Sequence, residues 1–178
     1  MILTISGLHG TGKSTIGKLL AEELGIKYYS TGQAFRDLAK EMNFTLEEFT
    51  EYVEKNPDID KKLDQKIIEI AQKGDVIIDS QLSAYILESI ADFKILLICP
   101  LETRVERIAQ RDKESYKRKL EETTIRENSE LIRYKKLYNI DLKDEYKVKN
   151  LYNLILDTKN LTVDEVLKQI LAAIKNYR

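Results

Sequence analysis

Short runs of β-branched and apolar residues alternate along the chain with longer stretches in which apolar positions recur at helical spacing. The short runs fall at Ile2 to Ser6, Ile26 to Ser30, Asp75 to Asp79, Phe93 to Cys99 and Tyr152 to Asp157. Helical spacing begins near Lys13, Gly32, Thr45, Asp58, Leu101, Ser115 and Thr162. Near-continuous apolar strands between helices predict a parallel sheet, because parallel neighbours need crossover connections and those helices cover both faces. The expected class is α/β, in three layers.

The punctuation fits this division. Gly25 and Gly74 stand where helices should end and strands begin, and Pro57 and Pro100 precede helices that they could not interrupt. Thr45-Leu-Glu-Glu and Thr162-Val-Asp-Glu read as N-caps followed by acidic first turns. No repeat, low-complexity tract or linker divides the chain, so one domain spanning 1–178 is expected. Residues 32–73, however, carry three helical segments between the second and third strands, where a crossover needs one. They read as an insertion with its own task, and Ser115 to Tyr138, rich in Arg, Lys and Glu, reads as a second functional element.

Composition narrows the setting. At 178 residues with 43% hydrophobic content, the chain can bury a full core without covalent staples. A single cysteine, Cys99, excludes an internal disulfide and points to a reducing, cytoplasmic setting. Met1 runs directly into Ile-Leu-Thr-Ile, which does not read as a signal peptide, and no apolar run approaches the ~20 residues of a membrane span. A net charge of −1 gives no general attraction to nucleic acid or anionic lipid. Small-molecule partners, with neither nucleic acid nor membrane, are therefore expected.

Any anion binding must be local, and the sequence supplies a place for it. Gly7-Leu8-His9-Gly10-Thr11-Gly12-Lys13-Ser14 fits G-x-x-x-x-G-K-[ST], and it follows the first strand and opens the first helix, as that motif requires. Glycines let successive N–H groups converge on phosphate oxygens, and the exposed helix start adds partial positive charge. The candidate ATP-binding set is Gly7, Leu8, His9, Gly10, Thr11, Gly12, Lys13, Ser14 and Thr15. Lys13 is expected at the β- and γ-phosphates and Ser14 at Mg²⁺. His9, the single histidine, is expected to contribute backbone. Val76-Ile-Ile-Asp79 leads to a carboxylate at a strand's C-terminal end, where ligands of open α/β sheets bind. Asp79 is thus a candidate for Mg²⁺, for the acceptor, or for capping the helix that follows.

A phosphate loop alone does not separate a kinase from a switch or a motor. Arginines favour the kinase, since transfer of a phosphoryl group consists of aligning two anionic substrates while cations offset the moving charge. Arg36 follows the second strand, Arg107 and Arg111 lie at i, i+4, and Arg126 and Arg133 at i, i+7 with Glu130 between them. With Lys13, these five form the candidate catalytic set.

Tyr29-Ser-Thr-Gly-Gln-Ala-Phe-Arg36, Asn56-Pro-Asp-Ile-Asp60, Ile77-Ile-Asp-Ser80, Arg107-Ile-Ala-Gln-Arg-Asp112 with Ser115-Tyr116, and Tyr138-Asn-Ile-Asp141 resemble the archaeal-type cytidylate kinases over nearly the whole chain. The resemblance implies a five-stranded nucleoside monophosphate kinase fold, with core 1–31, 74–112 and 139–178, acceptor-binding insertion 32–73 and lid about 113–138. It implies that Ser30 and Arg36 grip the acceptor's ribose and phosphate, that Asp79 lies at the acceptor and metal edge, and that Arg107 and Arg111 sit over ATP. Arg126, Glu130 and Arg133 match the spacing of the family's R-x-x-x-D-x-x-R acceptor motif, with Glu for Asp. The family's Asp-x-Arg after the third strand departs here to Gln81, and Leu82-Ser-Ala-Tyr85 replaces Leu-Ala-Gly-Trp. Gln81 brings hydrogen bonds but no charge, so the acceptor grip leans on Arg36 and Arg133. The implied reaction moves the ATP γ-phosphoryl group to CMP or dCMP, with Mg²⁺, on a monomer. A kinase for AMP, UMP or a non-nucleotide alcohol, or a nucleotide-dependent regulatory module, are the alternatives.

Overall fold

The computed structural model describes residues 1–177. Its elements, in order, are β1 (Ile2–Ser6), α1 (Lys13–Leu24), β2 (Lys27–Ser30), α2 (Thr31–Glu41), α3 (Leu46–Lys55), α4 (Asp58–Ala71), β3 (Val76–Asp79), α5 (Ser83–Ile86), β4 (Phe93–Ile98), α6 (Leu101–Asp112), α7 (Tyr116–Tyr138), α8 (Glu145–Leu151), β5 (Leu154–Asp157) and α9 (Val163–Tyr177). All strand pairs are parallel, in the order β2-β3-β1-β4-β5. The predicted class and five strands hold. Strand β2 starts one residue late because the Ile26 N–H closes the end of α1 on the Ala21 carbonyl, around a left-handed Gly25.

Alternation on the central strands builds two cores. Leu3, Ile5, Ile77, Ile95 and Leu97 pack with Ile16 and Leu20 of α1 and with Val166, Ile170 and Ile174 of α9. Val76 and Ile78, on the other side, meet Ile67 and Ala71 of α4 and Leu87. A third cluster lies wholly within the stretch between β2 and β3. There Phe35 and Ala39 of α2 pack on Phe49 and Val53 of α3, with Ile59 and Leu63 of α4 alongside. Phe35 and Phe49 meet edge to face at 4.7 Å between centroids. The three helices expected there are present, and they share a small core of their own. Thr45 caps α3 in a reciprocal box with Glu48, as its sequence predicts.

Helix α7 reverses the usual pattern of a surface helix. Its buried residues are Lys119, Thr123, Glu127, Glu130 and Arg133, a polar and charged face at spacings of three and four. Ile125 and Ile132 point the other way, 64% and 69% exposed. A helix that turns charge inward has a polar cleft, rather than an apolar core, beneath it.

Candidate active site

The carboxyl ends of β1 and β3 lie side by side, with Ile5 opposite Asp79. Residues 7–12 leave the end of β1 and curl before α1, with left-handed φ at Gly7, Gly10 and Gly12 (146°, 81° and 96°). At Gly10 the need for glycine is twofold, because a Cβ there would also stand 2.6 Å from the Arg104 carbonyl oxygen. The start of α1 has no acidic residue in its first turn, and no side chain among the described residues caps it. Its N–H groups and positive dipole end are open to an anion. Lys13 Nζ donates to the Leu8 carbonyl at 2.9 Å, folded back over the loop. Burial lowers its pKa, against the attraction of Asp79, Glu130 and Glu127.

Beside the helix start, Asp79 Oδ2 accepts from Ser14 Oγ at 2.7 Å and from the Tyr28 hydroxyl at 2.6 Å. Asp79 therefore faces the loop and does not cap α5, where the Leu82 N–H donates instead to Ser80 Oγ at 3.3 Å. Burial, with the Asp79 carboxylate beside it, raises the Tyr28 phenol pKa, so Tyr28 stays a donor. Ser30 caps α2, accepting the Gln33 N–H at 3.3 Å.

His9 is not a backbone contributor alone. Its ring Nε2 lies 2.7 Å from Glu130 Oε2 and 3.0 Å from Gln81 Nε2, and Gln81 Nε2 donates to the same Glu130 oxygen at 2.7 Å. Its N–H donates to Glu127 Oε1 at 3.2 Å. Its carbonyl accepts Arg104 Nη1 at 2.8 Å. Arg104 is the residue that the sequence reading missed: 4% exposed, it spans Glu127 with contacts of 2.5 and 3.1 Å and donates through Nε to the Cys99 carbonyl. One buried guanidinium thus ties the loop, α6 and α7 together. Its helix position gives the missing signal, since Arg104 falls on the same face as Val105, Ile108 and Ala109, all buried.

A cavity of about 1050 Å³ runs from the loop to the insertion and under α7. Of the expected site residues, His9 to Thr15, Ser30, Arg36, Asp79, Gln81, Arg107, Arg111, Arg126, Glu130 and Arg133 line it. Gly7 and Leu8 do not: Gly7 packs on the Leu97 carbonyl, and Leu8 supplies its own carbonyl to Lys13 and Thr11. Arg107 is held at the far wall, donating to the hydroxyl and carbonyl of Thr158 at 3.0 and 2.6 Å. Arg111 pairs with Asp112 at 2.7 Å.

The side of the cavity away from the loop is cationic at one wall and acidic at the other. Burial, then Arg126 and Arg111 nearby, lower the Arg36 pKa, the signature of cations gathered without enough counter-charge. Arg126 Nε reaches Glu130 Oε1 at 3.1 Å. Arg133 Nε lies 2.7 Å from Asp60 Oδ2, while its Nη1 is buried with no hydrogen-bond partner among the described residues. Asp64 accepts the Tyr138 hydroxyl, and burial raises its carboxyl pKa to about 6. Glu130 is driven the other way. Burial alone would raise its pKa, but His9, Arg126 and Gln81 outweigh it and hold the carboxyl down at about 2.

Two anion-ready ends in one cleft, with a carboxylate and a hydroxyl between them, suit a phosphoryl donor facing an acceptor. Comparison with known proteins bears on which one. The model of the cytidylate kinase-like family matches residues 2–160. The cytidylate kinase of Aeropyrum pernix is 41% identical over 167 residues, covering 94% of this chain and 95% of that protein. That of Methanocaldococcus jannaschii is 39% identical over 181 residues, covering 100% and 99%. Among solved structures, the shikimate kinase of Acinetobacter baumannii superposes with a TM-score of 0.62 at 16% identity, covering 99% of this chain and 94% of that one, a likeness of fold. With the family model spanning most of the chain and relatives matching it end to end, the chain belongs to the cytidylate kinase-like family.

Proposed function

We propose that this chain is a nucleoside monophosphate kinase that transfers the γ-phosphoryl group of ATP to CMP or dCMP, giving ADP and CDP or dCDP. The observation that carries the reading is the single cleft that joins the open start of α1 to the Arg36, Arg126 and Arg133 wall. In this reading residues 32–73 hold the acceptor, residues of about 113–138 close over it and the rest is the core. The amides from Gly10 to Thr15 cradle the ATP phosphates. Lys13 leaves the Leu8 carbonyl for the phosphate oxygens.

Ser14 Oγ and Asp79 Oδ2, 2.7 Å apart, form the oxygen-only donor set that suits a hard cation retaining several waters, and we assign Mg²⁺ to them. When bound, Mg²⁺ offsets charge on the β- and γ-phosphates. The chain's own residues then align the reactants. Arg36 and Arg133 orient the acceptor's phosphate, whose oxygen is already an anionic nucleophile, so transfer is direct and in line with no general base and no covalent enzyme intermediate. The cleft is complete within one chain, which supports a monomer, and no helix among the described residues is long and apolar enough to cross a membrane. The one free cysteine supports a cytoplasmic setting.

A coupled ADP-release assay across CMP, dCMP, UMP, AMP, GMP and shikimate tests the reading. CMP and dCMP should give the highest kcat/KM. Another acceptor ranking first would reassign the substrate, and nucleotide binding without acceptor-stimulated turnover would replace the kinase with a regulatory module.

A further inference from the structure

The phosphate loop is gripped at His9 from outside the loop, and the grip is on the acceptor side. A carboxylate oxygen only accepts, so both nitrogens on Glu130 Oε2 must donate to it: His9 through Nε2–H, Gln81 through its amide. The 3.0 Å approach of the two nitrogens is then a contact imposed by their shared acceptor. Glu130's other oxygen takes Arg126. Gln81 Oε1 is left buried with no partner among the described residues, although Gln81 lines the cavity. One turn along α7, Glu127 takes the His9 N–H, while Arg104 fixes the His9 carbonyl. None of this involves the amides from Gly10 onward. The ring is tied to the wall that carries Gln81, Glu130 and Arg126.

We propose that His9 is a positioning residue for the acceptor, the point at which the phosphate loop, Gln81 and α7 register the arrival of an acceptor's phosphate. The inference deepens the CMP kinase reading and rests on it. An anion entering beside Arg126 and Gln81 competes for the donors that now serve Glu130, leaving His9 as the main partner of that carboxylate. The charged groups facing the ring are Glu130 and Arg126 from α7 and Lys13 from the start of α1, with the Arg104–Glu127 pair at its backbone and Asp79 acting on Lys13 in turn. In the ligand-free chain burial outweighs the pull of Glu130, helped by Arg126 and Lys13, and lowers the imidazole pKa. At pH 7 the ring is neutral. A phosphate dianion nearby adds negative charge and favours the imidazolium, so the ring takes up a proton as the acceptor binds. Acceptor affinity therefore weakens as pH rises through the bound-state pKa of His9.

His9 is the single histidine of the chain, so its imidazole resonance in the full-length protein can be followed by NMR without a reference variant. The titration midpoint should rise by about one pH unit with saturating CMP and stay in place with cytidine, which lacks the phosphate. In steady state, His9→Ala should raise KM for CMP about tenfold with KM for ATP within about twofold, and His9→Gln, which keeps an N–H donor, should recover all but about threefold. The CMP phosphate itself titrates near about 6, but equally for every variant. His9→Gln should therefore lose only the part of the pH dependence that belongs to the ring. A saturated CMP complex with an unmoved imidazole, or equal losses toward CMP and ATP, overturns the proposal, and the NMR arm needs no variant to fold. Wild-type protein that releases no ADP with CMP overturns the kinase reading as well; an active CMP kinase with a silent imidazole overturns this inference alone.

Discussion

Replacing Arg104 by methionine is expected to destabilise the fold by about 4 kcal/mol. Arg104 and Glu127 are 4% and 8% exposed, so the variant strands a carboxylate out of water. Removing one partner of such a pair costs about 3–5 kcal/mol. Cys99 and His9 lose their guanidinium donors as well, while the methionine fills most of the volume. For a chain of this size the loss corresponds to a fall in Tm of about 10 °C. The companion Glu127→Leu, combined with Arg104→Met, should recover all but about 1–2 kcal/mol, because an apolar pair of similar volume needs no desolvated charge. Urea unfolding followed by circular dichroism measures all four corners of the cycle. A loss below about 1 kcal/mol for Arg104→Met, or a double variant as unstable as the sum of its parents, would refute the claim that this ion pair is a single buried unit.

Three further outcomes follow from the same geometry. Lys13→Ala should leave Tm within about 2 °C, since among the described residues the ammonium donates only to a loop carbonyl, and should lower kcat by at least about 100-fold in the ADP-release assay; wild-type turnover would reject its role. Gly10→Ala should lose both stability and ATP affinity because its Cβ meets the Arg104 backbone. Gly12→Ala, with nothing within 4 Å, should show only the ~1–2 kcal/mol of left-handed strain in thermal melts. Glu130, with a folded-state pKa of about 2 against a reference of 4.5, contributes stability that is whole above pH 4.5 and is lost as pH falls toward 2. That contribution is on the order of 3 kcal/mol. Glu130→Gln should flatten the acid limb of the stability curve, and an unchanged acid midpoint would contradict the assignment.

The strands were legible because burial on both faces leaves continuous apolar runs, as at Val76 to Ile78. Of helix α5, four residues long, only a start after Asp79 could be read, and α8, whose seven residues bury none, could not be read at all. The phosphate loop could be read because its glycines answer a backbone requirement that is local in sequence. Arg104's place on the buried face of α6 could be read as well, but its role could not, because it rests on the close approach of α6 to Gly10, a contact across 94 positions of chain. His9 was assigned to backbone for the same reason: its ring partners, Gln81 and Glu130, come from elements far along the sequence. Asp60 and Asp64 gain their place in the cleft only through Arg133 and Tyr138 of α7, again far along the sequence.

The inverted face of α7 sets how that helix is released. A helix seated on oil loosens with heat or denaturant; one seated on ions beside an open cleft also answers to electrolyte, most at Lys119, whose partners reach solvent, and least at the buried Arg104–Glu127 pair. In the empty enzyme, raising potassium chloride should speed amide exchange along 119–133 well before the sheet responds. Bound nucleotide, itself a polyanion lodged among the same cations, should slow that exchange again.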